Sequence, residues 1–188
     1  MALYNNTKSV ISREFLELLS ERPFDKISVR DITERCGISR NTFYYYYQDI
    51  YALVEEILNA EIEKVSTKVE DYDSWQKAFL DATAFARTHR KAVFHIYNSA
   101  NRGLLESYYH RTILPAMLRY VRREAQGLDV AERSILALAQ FYTAALTGLS
   151  AEWLNDGMKE DPAAFLDDLS PLLDGNIRAS LERAAKQS

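Results

Sequence analysis

Apolar residues recur with helical spacing along nearly the whole chain. In residues 8–21, Ile11, Phe15, Leu18 and Leu19 lie at i, i+4, i+7 and i+8 and form one apolar stripe. Such a stripe is typical of a helix that buries one face against a core. The pattern therefore predicts an all-α protein.

Three further helices are predicted between residues 28 and 60. Ser28 stands three residues before Asp31 and can form a capping box for a helix that stops at Gly37. Ser39 can cap a short helix over 40–46, and Asp49 a longer one with Leu53, Ile57 and Leu58 inward. Helix 28–36, the turn 37–39 and helix 40–46 together fit a helix-turn-helix.

The rest of the chain also predicts helices. Asp73 with Gln76 is predicted to begin one helix, and Gly103 to interrupt the helical pattern. Asp129 with Glu132 is predicted to form a capping box for a further helix. Pro115 should kink its helix because it removes one backbone hydrogen bond. The helix that follows Asp129 is predicted to end at about Asn155. The other predicted helices cover about 73–87, 91–100, 104–125, 162–173 and 176–186.

The overall charge argues at first against a nucleic-acid binder. The chain has 23 Lys and Arg against 27 Asp and Glu, a formal net charge of −4, whereas a phosphate-binding surface favours a basic excess. Residues 1–50, however, hold seven basic and seven acidic residues, so the excess of acid lies entirely in the remaining residues. The predicted helix-turn-helix is therefore balanced in charge rather than acidic.

Composition also bounds the location. The single cysteine, Cys36, excludes an intramolecular disulfide, and the first residues show no basic segment followed by an apolar one. Residues 134–151 carry no charge and approach the length of a membrane span, but five Ser, Thr and Gln residues interrupt them. We expect a cytoplasmic protein without a membrane segment, in which 134–151 is a buried or subunit-interface helix.

Helix 40–46 carries the side chains with the most informative chemistry. Phe43 and Tyr47 share one face and should pack inward, whereas Arg40, Asn41 and Tyr44 lie on the other side. Arginine can bind guanine O6 and N7 with two hydrogen bonds, and asparagine can do the same for adenine N6 and N7. This face is therefore a candidate for reading DNA bases.

Hydroxyl groups around this helix could contact phosphates and so fix the register. Ser39, Thr42, Tyr44 and Tyr46 supply them, and Arg30 could reach a phosphate or a flanking base. The alternative is that the run of four tyrosines is ordinary core and surface, although four adjacent helical positions cannot all face one core. The complete predicted DNA-binding set is Ser28, Arg30, Ser39, Arg40, Asn41, Thr42, Tyr44 and Tyr46.

Residues 8–58 resemble the DNA-binding domain of the TetR family of bacterial transcriptional regulators. The resemblance rests on the segments Ile27-Ser28-Val29-Arg30-Asp31-Ile32, Cys36-Gly37-Ile38-Ser39, Thr42-Phe43-Tyr44 and Ala52-Leu53. It departs from the family pattern at Thr33, where Ala is usual, and at Ile50, where a phosphate-contacting Lys is common. Tyr46 stands where the family often has His.

The resemblance implies an all-α homodimer in which helix 40–46 enters the major groove of a palindromic operator. Residues 1–60 would be the DNA-binding domain, joined by a longer helix to a domain over 61–188 that binds an effector and dimerises. Most family members are repressors. The uncharged helix 134–151, with small residues at 137, 144, 145 and 148, and the helix from 162 would build the dimer interface.

The effector site is the least defined prediction. A small-molecule pocket is mainly apolar with a few polar groups, and aromatic and polar residues mix at several positions of the second domain. The candidate ligand-binding residues are Phe94, Tyr97, Asn98, Tyr108, His110 and Tyr142. Ordinary core packing of these aromatic residues is the alternative interpretation.

Two other functions compete with a ligand-controlled repressor. A helical-bundle metalloenzyme would need repeated Glu-x-x-His motifs, whereas Glu106 and His110 are four apart and occur once. We therefore expect no enzyme, no metal and no cofactor. A regulator or activator controlled by a partner protein instead of a small ligand fits the sequence as well.

Overall fold

The computed structural model describes residues 2–68 and 74–186, and all regular structure in them is helical, as predicted. A short 3-10 helix covers Phe24–Lys26. The α-helices are α1 (Ala2–Glu21), α2 (Val29–Cys36), α3 (Arg40–Tyr46), α4 (Ile50–Ser66), α5 (Trp75–Thr88), α6 (Arg90–Tyr97), α7 (Arg102–Glu124), α8 (Glu132–Asn155), α9 (Pro162–Leu173) and α10 (Asn176–Ala185).

The chain divides into two compact units. Unit 1 comprises Met1–Glu61 and Ala86–Leu105, and unit 2 comprises Ile62–Phe85 and Glu106–Ser188. The domain boundary near residue 60 stays a prediction. Unit 1 also includes Ala86–Leu105, a later segment that the sequence did not suggest. In that segment α6 packs against α1, where Nδ1 of His95 lies 2.6 Å from the carbonyl oxygen of Leu19.

The core of unit 1 forms from the apolar stripe of α1. Ile11, Phe15 and Leu19 are completely buried, together with Ile32 of α2 and Leu53 of α4. Burial of each such side chain stabilises the fold by roughly 1.5–3 kcal/mol. Helix α2 packs against α1 and α3 packs against α2, and these contacts stabilise the two short helices, since helices of seven or eight residues are marginal alone.

Unit 2 contains most of α7 and all of α8 to α10, together with residues 62–66 of α4 and residues 75–85 of α5. Tyr108 and Met117 of α7 and Leu154 of α8 are among its buried side chains. From α10, Nη1 of Arg178 donates to the carbonyl oxygens of Glu124 and Gln126 at 2.5 and 3.0 Å. These bonds satisfy carbonyl groups that the end of α7 leaves without helical partners.

The structure corrects two predicted helix starts and leaves a third untested. Gly103 lies in the first turn of α7 and does not interrupt the helix. The predicted capping box of Asp129 and Glu132 is wrong, because Ala131 is the N-cap of α8 and no side chain caps it. Glu132 instead accepts a hydrogen bond from Arg122 at 2.6 Å. The predicted cap Asp73 lies outside the described residues.

Helix α8 has one buried face and one exposed apolar face. The buried face includes Ile135, Ala139, Thr143, Leu146 and Ser150. By length and composition alone α8 could cross a membrane, and 28% of its most apolar window is buried within the chain. On the opposite side, the exposed α8 stripe consists of Ala137, Phe141, Ala144 and Gly148 at i, i+4, i+7 and i+11.

Candidate nucleic-acid interface

The geometry of the helix-turn-helix follows from its local sequence. The side chain of Ser28 accepts a hydrogen bond from the Asp31 N–H, and the Asp31 carboxylate accepts one from the Ser28 N–H at 2.8 Å. The Ser28 hydroxyl also donates to the Asp31 carboxylate, and this bond, together with that from the Ser28 N–H, lowers the pKa of Asp31. Gly37 ends α2 at φ 65°, a left-handed conformation that glycine adopts at the least cost. The predicted capping box and turn are confirmed.

The two faces of α3 differ as predicted. Phe43 is completely buried and Tyr47 is 3% exposed, whereas Arg40 and Asn41 are exposed and Tyr44 is 55% exposed. The buried pair fixes the roll of α3 about its axis. Arg40 and Asn41 therefore point away from the core of unit 1.

Arg40 and Asn41 also differ from their neighbours in their hydrogen bonding. Within residues 2–68 and 74–186, neither side chain forms a hydrogen bond or an ion pair. Arg30 differs, since its Nε donates to Glu34 at 2.6 Å and this bond raises the pKa of the guanidinium. A base or phosphate that binds Arg30 must compete with Glu34, whereas Arg40 is available without such competition.

The hydroxyl groups predicted to contact phosphates have different surroundings. Ser39 caps α3 by accepting from the Thr42 N–H at 3.0 Å, and the Ser39 and Thr42 hydroxyl oxygens lie 2.9 Å apart. Tyr46 is half-buried and packs edge-on against Tyr45 with the ring centroids 5.1 Å apart. Ser28 is engaged by Asp31. The structure thus gives Ser28 and Ser39 a clear role in helix capping.

A polar cluster behind α3 ties it to the neighbouring helices. The Tyr47 hydroxyl donates to Oε1 of Glu56 at 2.8 Å, and Oε2 of Glu56 pairs with Nζ of Lys8. The same Lys8 ammonium lies 5.3 Å from the centroid of the Tyr47 ring. Because these residues belong to α1, α4 and the end of α3, the cluster positions α3 against its neighbours.

Most other cations of the first 50 residues are neutralised by nearby carboxylates. Arg35 bonds to Glu21 at 2.7 Å and to Glu14 at 3.2 Å, and Arg22 pairs with Asp31 at 3.1 Å. Such pairs reduce the charge available to attract DNA at long range. Arg40 is therefore among the few cations of this segment without a carboxylate partner in the described residues.

Sequence reasoning missed two exposed aromatic residues beside this surface. Tyr45 is 75% exposed and Tyr51, at the start of α4, is 49% exposed with its ring 5.6 Å from that of Phe24. For Tyr45 a signal was present, because four successive tyrosines in a helix leave at least two at the surface. Tyr51 could not be placed without the packing of the 3-10 helix against α4.

The candidate effector residues are divided between the two units. Phe94, Tyr97 and Asn98 belong to unit 1, whereas Tyr108, His110 and Tyr142 belong to unit 2. Tyr108 is buried, and its hydroxyl donates to the Ala82 carbonyl oxygen at 3.0 Å, as expected of a core residue. The adjacent hydroxyl of Tyr109 is buried without a partner in the described part of the chain, and burial raises its pKa. The proposed effector set stays a prediction.

Comparison with protein families accounts for most of the chain. The family described as bacterial regulatory proteins, tetR family, matches residues 16–57, and the family described as transcriptional regulator C-terminal region matches residues 73–175. The chain belongs to the TetR family of bacterial transcriptional regulators. Proteins of this family are DNA-binding regulators and not enzymes, so the metalloenzyme alternative is set aside.

Two curated relatives match this TetR-family regulator over part of its length. DhaS of Lactococcus lactis, the transcriptional activator of the dhaKLM operon, is 31% identical over 74 residues, which are 39% of this chain and 40% of DhaS. The transcriptional regulator YvdT of Bacillus subtilis is 31% identical over 65 residues, or 32% of this chain and 34% of YvdT. These matches therefore span at most two-fifths of either relative.

Solved structures extend the similarity to the whole fold. The structure of DhaS, named as the dihydroxyacetone kinase operon activator, has a TM-score of 0.72 at 17% identity and covers 92% of this chain and 97% of its own. NalD of Pseudomonas aeruginosa, named as the secondary repressor of the MexAB-OprM efflux pump, has a TM-score of 0.61 at 18% identity, covering 91% and 96%. At these identities the similarity establishes the fold.

Proposed function

We propose that this regulator binds a palindromic DNA operator as a homodimer and acts as a repressor that a small effector releases. The observation that carries the proposal is the exposed face of α3, where Arg40 and Asn41 have no partner in the described residues. An unpaired guanidinium and an unpaired carboxamide side by side are suited to guanine and adenine in the major groove.

The remaining predicted DNA-binding residues would position this face. Tyr44, Tyr46 and Thr42 offer hydroxyl groups to phosphate oxygens, as do the two capping residues Ser28 and Ser39. Arg30 would contact a phosphate or a flanking base once it leaves Glu34. These contacts set orientation and contribute little to the choice of sequence.

The proposal of a homodimer is supported by the exposed α8 stripe. It places one large side chain, Phe141 at 67% exposure, among three small residues. Small residues allow two helices to approach closely, and a second copy of the stripe would cover the aromatic ring. A symmetric dimer also supplies the two α3 helices that the two half-sites of a palindromic operator require, and half-sites in successive major grooves are about 34–36 Å apart.

A stripe of this kind explains the apolar character of α8 without a membrane. One face of α8, which includes Ile135, Ala139 and Leu146, is buried within the chain, so only the opposite stripe needs a cover, and a second copy of the protein can supply it. Together with membership in a family of soluble regulators, this supports a cytoplasmic location.

The direction of regulation is proposed from the family, in which repressors predominate. NalD is named as a repressor and DhaS as an activator, so control by a partner protein or activation of transcription is the alternative. Native mass spectrometry of the purified protein would discriminate between control by a small effector and control by a partner protein, since a retained small molecule favours an effector.

Selection of bound sequences from random double-stranded DNA tests the proposal. We expect enrichment of an inverted repeat whose half-sites are centred about one helical turn apart, or a multiple of it, each with guanine and adenine positions. Enrichment of a single unrepeated site would contradict the homodimer. The absence of any enriched sequence would contradict specific DNA binding itself.

A further inference from the structure

Unit 2 contains a cavity where α8 ends and α9 begins. Its volume is about 370 Å³, within the range of small-molecule sites. Phe79 of α5, Trp153 of α8 and Phe165 of α9 supply its aromatic wall, while Glu152, Asp156 and Glu160 supply carboxylates. The candidate effector residues predicted from the sequence lie elsewhere, so this is a separate site.

The aromatic wall is held in place by the connection between the two helices. The indole N–H of Trp153 donates to the carbonyl oxygen of Glu160 at 2.8 Å, which fixes the ring against the loop. Met158 is 4% exposed, and its N–H donates to the carbonyl oxygen of Trp153 at 2.8 Å. A ring fixed in this way presents a face to a ligand with little loss of side-chain entropy on binding.

The charge of the cavity is strongly acidic. Within the described chain, Glu152, Asp156 and Glu160 form no ion pair. Lys159 also lines the cavity, and Asp161 caps α9 by accepting from the Ala163 N–H at 3.1 Å. Four carboxylates against one ammonium leave an excess of negative charge beside the aromatic rings.

These two features together select the class of ligand. Aromatic faces attract organic cations through their electron-rich π systems, and the attraction increases when carboxylates supply the balancing charge. A metal ion fits less well, because no group of three His, Cys, Asp or Glu side chains in the described residues is arranged to hold one.

We infer that the α8–α9 cavity binds a small organic cation of the quaternary ammonium type. The cation would lie against Trp153 and Phe165 with its charge facing Glu152 and Asp156. The inference rests on the proposed function in one respect, since it names the chemical class of an effector for the C-terminal region.

Fluorescence of Trp153 provides a direct test in the full-length protein. The chain has two tryptophans, Trp75 and Trp153, so a Trp75→Phe variant reports on the cavity alone. We expect benzyltrimethylammonium chloride to change this fluorescence saturably. Sodium chloride at the same ionic strength and sodium benzoate should not do so.

Charge variants in the Trp75→Phe background make the test specific. Glu152→Gln combined with Asp156→Asn should weaken binding of benzyltrimethylammonium about tenfold, since two nearby charges are removed. Asp168→Asn, an exposed residue of α9 outside the cavity, should change affinity less than twofold. Circular dichroism would verify that each variant is folded.

Three results would overturn the inference: no saturable change above the salt control, equal binding of benzoate, or equal affinity of the charge variant and the parent. Operator binding without the cation is measured on the same samples. Operator binding with no cation binding would overturn this inference alone, and the reverse would contradict the proposed function alone.

Discussion

Replacing Arg40 with alanine separates recognition from stability. The guanidinium is exposed and has no partner in the described residues. Its removal therefore leaves the free energy of unfolding within about 0.5 kcal/mol of the parent. In the complex, one bidentate contact with guanine is worth about 1–3 kcal/mol. A symmetric dimer loses two such contacts, or about 2–6 kcal/mol in total.

Fluorescence anisotropy with a labelled operator measures this loss. Two DNA duplexes are needed, the selected operator and the same operator with the contacted guanine changed in both half-sites. The parent should prefer the first duplex, whereas Arg40→Ala should bind both with similar affinity. Asn41→Ala should behave in the same way at an adenine position.

Arg30→Ala is the matched control for Arg40→Ala. Arg30 also has an exposed guanidinium, but this group is paired with Glu34. If Arg30 contacts phosphate, its removal weakens binding to both duplexes by the same factor and leaves the base preference intact. The reasoning fails if Arg40→Ala binds the operator within twofold of the parent and keeps its preference for guanine.

Four further predictions concern phosphate contact, pH, backbone and assembly. Tyr46→Phe should weaken binding to every DNA sequence by a similar factor in anisotropy titrations, and a change in base preference would contradict a phosphate contact. The pKa of Asp31 is lowered by Ser28, so the stability that Asp31 contributes is present above its unfolded pKa and is lost as pH falls through its folded pKa. The difference in the free energy of urea unfolding between Asp31→Asn and the parent should therefore be larger at pH 7 than at pH 3, and an equal difference at both would refute the linkage. Gly37→Ala should cost about 1–2 kcal/mol, because φ is +65° although a Cβ there meets no atom within 4 Å. Gly103→Ala, in a helix with equally open space, should be neutral or stabilise by up to about 1 kcal/mol, and equal effects in urea unfolding would contradict the backbone argument. Ala144→Arg should shift the sedimentation coefficient from dimer to monomer, and an unchanged dimer would place the interface elsewhere.

Much of unit 1 could be predicted because its signals are local. The capping box of Ser28 and Asp31, the left-handed Gly37 and the alternation of Phe43 and Tyr47 with exposed residues each depend on neighbours within four positions. Interactions at that range are determined by sequence spacing alone. They sufficed to place α3 and its exposed face.

The errors and omissions depend on contacts between distant segments. The N-cap of α8 is Ala131 and not Asp129, so Glu132 lies too early in the helix to form the predicted box, and its carboxylate binds Arg122 of α7 instead. The packing of α6 on α1 joins residues that are 76 positions apart, as His95 and Leu19 show. The α8–α9 cavity likewise needs Phe79 beside Trp153. No periodicity in the sequence reports such juxtapositions.

Methylation interference tests the central claim most directly. Methyl groups placed on guanine N7 block one of the two acceptors that Arg40 is proposed to bind. We predict that methylation of one guanine in each half-site, related by the dyad of the operator, prevents binding of the parent and has little further effect on Arg40→Ala. Interference that is absent from the major groove, asymmetric, or equal in the two proteins would contradict recognition through the exposed face of α3.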